Sequence, residues 1–217
     1  MKRIMLMMVI VLLTGTGVAW GGYKLVMSKD KELCTSVLKL FNDDIKKYRV
    51  IEYERHDIFK KVPWERVEID ADRDDASYCS VVLRAKFDIN NDGQDEYVIK
   101  WSACMRGFAF DNLYIYPLDN EWVKKPIWKN MSLLGQDTSN KFENIRNSHE
   151  LKELDPAKND GLTASVGGTI LQPFIWGTTA YVVLTDLFHG RWIVIAKYIK
   201  GAEFKDICYF RDRSQSE

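Results

Sequence analysis

Histidine is scarce in this chain, three residues in 217, and cysteine is nearly so at four. None of Cys34, Cys79, Cys104 and Cys208 stands in C-x-x-C spacing, and no histidine lies within five residues of any of them. The ligand spacings of a zinc site are therefore missing. G-x-S-x-G is absent too, and the glycines of Ser165–Thr169 lack the spacing of a phosphate loop, which leaves them as a turn or bulge. No internal repeat is recognisable. Acidic and basic residues balance at 31 each, with no block of one sign. That balance excludes the electrostatic footprint of a nucleic-acid or anionic-lipid partner.

The chain opens with a basic head at Lys2 and Arg3, an apolar run from Ile4 to Leu13, and then small residues. This is the layout of a secretory signal peptide, and residues 1–21 are assigned to it, with cleavage expected after Ala19 or Gly21. Left uncleaved, the segment would be the only membrane contact, at the short limit of a span. The expected location is periplasmic or secreted. In an exported chain an even number of cysteines points to disulfides. Cys79 and Cys104 lie thirteen and twelve residues from Asp92, so a hairpin centred there brings them level. That favours Cys79–Cys104, although simple alternation sets the two on opposite faces unless a bulge intervenes. Cys34 is left to join the early helix to the last strand at Cys208.

Residues 22–217 are long enough for one good core. Lys29 to Arg49 carries Leu33, Val37, Leu40, Phe41, Ile45 and Tyr48 at spacings of three and four, the stripe of an amphipathic helix. From Tyr78 the period changes to two: Val81, Leu83, Ala85, Phe87 and Ile89 mark one half-buried strand, and Tyr97, Ile99, Trp101 and Ala103 a second. Further strands are expected at Leu113–Leu118, Glu121–Trp128, Ala164–Leu171, Thr179–Leu187, Arg191–Ile199 and Glu203–Arg211, with turns at Asp119-Asn120 and His189-Gly190. The polar stretch 132–161 reads as a surface insertion with a short helix at Ser148–Leu154. The fold class expected is mainly β (α+β): an antiparallel meander with an N-terminal amphipathic helix packed on it. Most of the tryptophans belong to its core rather than to a sugar-binding surface.

The chemistry concentrates in "DINNDGQDE", Asp88 to Glu96. Asp88, Asn90 and Asp92 alternate, Gly93 permits a sharp bend, Gln94 offers a main-chain carbonyl, and Glu96 closes the run with Asp95 beside it. Oxygen donors at that spacing converge on one point, as calcium requires. Four carboxylates at close range also repel one another, a cost a cation offsets. An EF-hand is excluded because its bidentate glutamate would fall at Ile99. The competing structural reading is a charged Asx turn without metal.

The pattern D-x-N-x-D-G-x-x-E between strands resembles the calcium loop of FG-GAP/VCBS-type repeats, found in integrin-type propellers and many secreted bacterial proteins. The resemblance implies ligand roles for Asp88, Asn90, Asp92 and Glu96 and inward positions for Ile89, Tyr97 and Ile99. It covers about a dozen residues, with Glu96 where that family usually has Asp, and one copy where it usually has several. "FKKVPW" at Phe59, the early cysteine-bearing helix and the terminal "ICYF" also look like a group of uncharacterised exported bacterial proteins. His56-Asp57 and Asp186 with His189 pair acid and imidazole, but lack a nucleophile and read as surface contacts. The chain is more plausibly a binding or inhibitory/immunity-type protein with a partner in the cell envelope than an enzyme. The alternative is an envelope-polymer hydrolase using the acidic loop as a metal site.

Overall fold

In the computed structural model, the described residues are 21–69, 81–105, 108–128, 143–145, 169–186, 192–199 and 203–215. Strand β1 (Tyr23–Ser28) leads into helix α1 (Lys31–Tyr48). Asp30 begins α1 by accepting the Leu33 N–H at 3.0 Å, and Arg49 ends it in the left-handed region, at φ 67. These are an N-cap and a C-terminal stop of the usual kinds. A 3-10 turn (Tyr53–Arg55) and a short helix α2 (Asp57–Lys60) follow, then β2 (Glu65–Arg66), β3 (Glu68–Ile69), β4 (Val81–Phe87), β5 (Glu96–Met105), β6 (Phe108–Tyr116), β7 (Ile127–Trp128), β8 (Glu143–Ile145), β9 (Thr169–Trp176), β10 (Thr179–Asp186), β11 (Trp192–Ile199) and β12 (Glu203–Asp212).

The strands form two five-stranded sheets, β1-β12-β11-β10-β9 and β2-β4-β5-β6-β8, plus a parallel pair, β3-β7. Within both large sheets every pairing is antiparallel, and β4-β5-β6 and β9 to β12 run as meanders. The mainly β, α+β class expected from the sequence is the one observed. Three apolar layers account for it. Phe87, Val98, Leu113 and Ile115 of one sheet meet Val182, Leu184, Val194 and Tyr198 of the other. On the far side of the second sheet, Leu33, Val37 and Phe41 of α1 cover Val183, Ile195 and Phe210. Each such fully buried side chain is worth about 1.5–3 kcal/mol. On the far side of the first sheet, Val82, Ile99 and Tyr116 lie under Val67, Val123 and Trp128.

This layering corrects the half-buried reading of β4 and β5. Val98 and Ile99 are both fully buried, and Lys100 and Arg84 are buried as well, while Val81 on the expected apolar face is exposed. Glu121–Trp128 is not one strand: turns occupy most of it, and only Ile127–Trp128 pairs. Arg84 holds those turns, donating to the Val123 and Lys125 carbonyls and to Glu65 at the rim. β9 runs on to Trp176, through Pro173, which an edge strand accommodates. A two-residue turn with Gly177 at φ 62 then returns the chain into β10. Inside the expected insertion, Glu143–Ile145 pairs with β6. Ser148–Leu154, the Ser165–Thr169 glycines and His189-Gly190 lie outside the described residues.

Cys34 in α1 and Cys208 in β12 are joined by a disulfide across 174 residues, with Cα atoms 5.5 Å apart. Cys79, and with it the expected pairing with Cys104, lies outside the described residues. Trp128 and Trp192 are core residues. Trp64, Trp101, Trp122 and Trp176 pack partly buried against the three clusters.

Candidate functional site

The acidic loop joins β4 to β5, and its own amides wind it. Asp88 accepts the Asp92 N–H at 3.0 Å through Oδ1 and the Gly93 N–H at 2.8 Å through Oδ2. Asn90 Oδ1 also accepts from Asp92 N, at 2.8 Å, and Asp92 Oδ1 from Gln94 N, at 2.9 Å. Asn91 and Gly93 have positive φ, 63 and 89. Glycine adopts that conformation freely, and asparagine is the side-chain-bearing residue best suited to it. The structure thus brings Asp88, Asn90 and Asp92 together around one turn, as the alternation implied. Glu96 folds back over the loop, accepting from Ile89 N at 3.2 Å and from Asn90 Nδ2 at 2.7 Å. Asp95 points away toward Lys86, 3.7 Å distant, and Gln94 is exposed.

Burial first, against the opposing Ile89 N–H and with smaller pushes from Asp92, Asp88 and Asp95, brings the Glu96 carboxyl up to about 7. A half-buried carboxylate among three others is costly to ionise. Ile89 is fully buried between the sheets, as expected, but Ile99 belongs to the opposite layer with Tyr97 packed against it. The inward residues therefore serve two different cores. Among the described residues, no three His, Cys, Asp or Glu side chains converge closely enough to hold a metal by themselves. A cation here depends on Asn90 and main-chain oxygen as well. That donor set fits calcium, since each engaged oxygen keeps a lone pair and all the donors are hard oxygens.

The sequence reading passed over Asn91. Its side chain leaves the loop and binds the main chain of Ala180 in the other sheet, accepting from N at 2.7 Å and donating to O at 3.2 Å. A second Asn between two ligand positions was the only signal. Beside the loop opens a cleft of about 570 Å³, lined by Asp92, Gln94 and Glu96 together with Pro117, Leu118 and Tyr198.

Of the weaker acid–imidazole candidates, His56-Asp57 comes apart. His56 Nε2 is 2.7 Å from Asp44 Oδ2 on α1, not paired with Asp57, which instead meets Lys60 at 3.1 Å. Asp44 is 4% exposed and also accepts the Glu52 N–H at 2.9 Å, so this pair fastens the chain after α1. His189 lies outside the described residues. The chain matches no known protein family, no curated protein and no solved structure.

Proposed function

We propose that this is an exported, β-rich protein of the bacterial cell envelope that binds another envelope macromolecule, in the manner of an inhibitor or immunity protein. In this reading the Asp88–Glu96 loop holds a structural calcium ion, with Asp88, Asn90, Asp92, Glu96 and the Gln94 carbonyl as ligands. The observation that carries it is the ring of side-chain oxygens of Asp88, Asn90 and Asp92, held in place by the amides of Asp92, Gly93 and Gln94. Calcium would neutralise the carboxylates there and brace the β4–β5 hairpin. Glu96 would exchange its bonds to Ile89 and Asn90 for the cation. A disulfide between Cys34 and Cys208 suits an oxidising compartment. Among the described residues, no helix is long and apolar enough to cross a membrane.

The cleft beside the loop and the raised pKa of Glu96 are what favour the second reading, a hydrolase of envelope polymers. Capture from envelope extract with the exported chain, with calcium or with chelator, separates the two. A binding protein retains one partner in both, weakening only as the fold loosens. A metal-dependent hydrolase captures none, degrades an envelope polymer in calcium, and loses that activity entirely in a well-folded Asp92→Ala variant.

A further inference from the structure

Where the β9 edge of one sheet meets β6 of the other, four polar side chains cluster. Lys100 and Asp111 are 8% and 6% exposed. Lys100 Nζ stands 3.1 Å from Asp111 Oδ2 and donates to Gln172 Oε1 at 2.7 Å. Asp111 is held at both oxygens, by the Ser102 hydroxyl at 2.6 Å and the Leu171 N–H at 3.0 Å. Ser102 and Asp111 are direct cross-strand partners on β5 and β6, whereas Gln172 comes from β9 in the other sheet.

An ion pair explains Lys100 and Asp111, but it does not require a carboxamide carbonyl against the same amine. Amine, acyl carbon and proton carrier, the three components of acyl transfer to nitrogen, stand together here. We propose that Lys100 and Gln172 become joined by an intramolecular isopeptide bond, with Asp111 carrying the proton, so that a covalent amide ties the two sheets together.

The step balances without an oxidant or a further reactant. Lys100 passes one proton to Asp111, 3.1 Å away, giving a free amine and a carboxylic acid. A turn of the Gln172 carboxamide about its soft terminal torsion presents Cδ, one bond from the oxygen already in contact. The amine lone pair forms the new C–N bond, and Asp111 returns its proton to Gln172 Nε2 as the old C–N bond breaks. Of the three protons on Nζ, one stays on the new amide and two leave with ammonia as ammonium. Asp111 ends as carboxylate. Gln172 is only half-buried, which gives ammonia a way out. Fixed proximity replaces the encounter that makes this reaction slow between free side chains.

The test is the intact mass of the reduced, denatured full chain as isolated, with its N-terminus established from the terminal peptide. Digestion and fragmentation then locate any link. The expected result is a mass lower by one ammonia and a cross-linked peptide pair joining Lys100 to Gln172. Lys100→Met and Gln172→Ala should each show their full sequence mass. Asp111→Asn, nearly the same shape, should also remain unlinked while folded by near-ultraviolet circular dichroism. A folded wild-type chain with its full sequence mass after prolonged incubation overturns the proposal. So does loss of water in place of ammonia, which would join Lys100 to Asp111, or a link that still forms in Asp111→Asn.

Discussion

Asn91 exchanges two hydrogen bonds with the main chain of Ala180, at 2.7 and 3.2 Å, and so ties the acidic loop of one sheet to a strand of the other. The register of β10 with β11 begins at Val182, so the asparagine supplies Ala180 with the pair of bonds a neighbouring strand would otherwise give. Asn42 of α1 does the same for the edge strand β1, accepting from Tyr23 N at 2.7 Å and donating to Tyr23 O at 3.1 Å. The loop is therefore a joint between the sheets as well as a candidate ion site.

Asn91→Ala leaves the main chain of the buried Ala180 without these partners, a loss of roughly 1–3 kcal/mol. It also forces alanine into a left-handed conformation, at roughly 1–2 kcal/mol. Asn91→Gly loses the bonds but not the conformational fit. Urea denaturation should rank wild type above the glycine variant and the glycine variant above alanine.

Removing the Cys34–Cys208 link frees a loop spanning 174 residues. The double variant Cys34→Ala/Cys208→Ala should lose about 2–5 kcal/mol. Because α1 still buries Leu33, Val37 and Phe41, its far-ultraviolet circular dichroism should stay close to wild type at room temperature.

Asp44→Ala should cost about 2–4 kcal/mol, by taking from the Glu52 N–H and from His56 the buried acceptor they share. Asp57→Ala, which removes only an exposed contact to Lys60, should lie within about 0.5 kcal/mol of wild type. Chemical denaturation of the two variants side by side checks both.

In calcium-free protein the folded state holds the Glu96 proton to about 7, against an ordinary value of 4.5. The folded chain therefore binds the proton more tightly than the unfolded one. Glu96's contribution to stability is fully present below 4.5 and is lost as pH rises through 7. Calcium competes with that proton, so the stabilisation it adds should grow across the same window. Melting temperature against pH, in chelator and in calcium, should show two diverging curves. Glu96→Gln should flatten the chelator curve over that interval.

The helix and most of the strands were legible because their periods are clean: Leu33, Val37 and Phe41 repeat at four, and Val183 alternates with Val182 and Leu184 between two layers. Where the sequence misled, a second layer had intervened. Lys100 and Arg84 look like solvent-facing positions of alternating strands, yet both are buried, because their partners Asp111, Gln172 and Val123 are distant in sequence. β1 was missed because it is short and follows an apolar leader, and the extension of β9 because Pro173 reads as a break. Within the loop, the alternation of Asp88, Asn90 and Asp92 announced the turn correctly. The role of Asn91 was invisible because it depends on Ala180, 89 residues away.

The central claim, a calcium ion at Asp88, Asn90, Asp92 and Glu96, is tested most directly by the melting temperature of the protein titrated with calcium from a chelated start. An affinity on the order of 10⁻⁴–10⁻³ M is expected of a site whose ligands come from a single short loop. At millimolar calcium the tighter end of that range adds about 1.4 kcal/mol, which raises the melting temperature of a domain this size by roughly 3–6 °C. Asp92→Ala should fold and show no calcium response. A wild-type melting temperature that stays unchanged up to about 10 mM calcium, well above the affinities such loops reach, would contradict the account and leave the acidic loop as a charged turn.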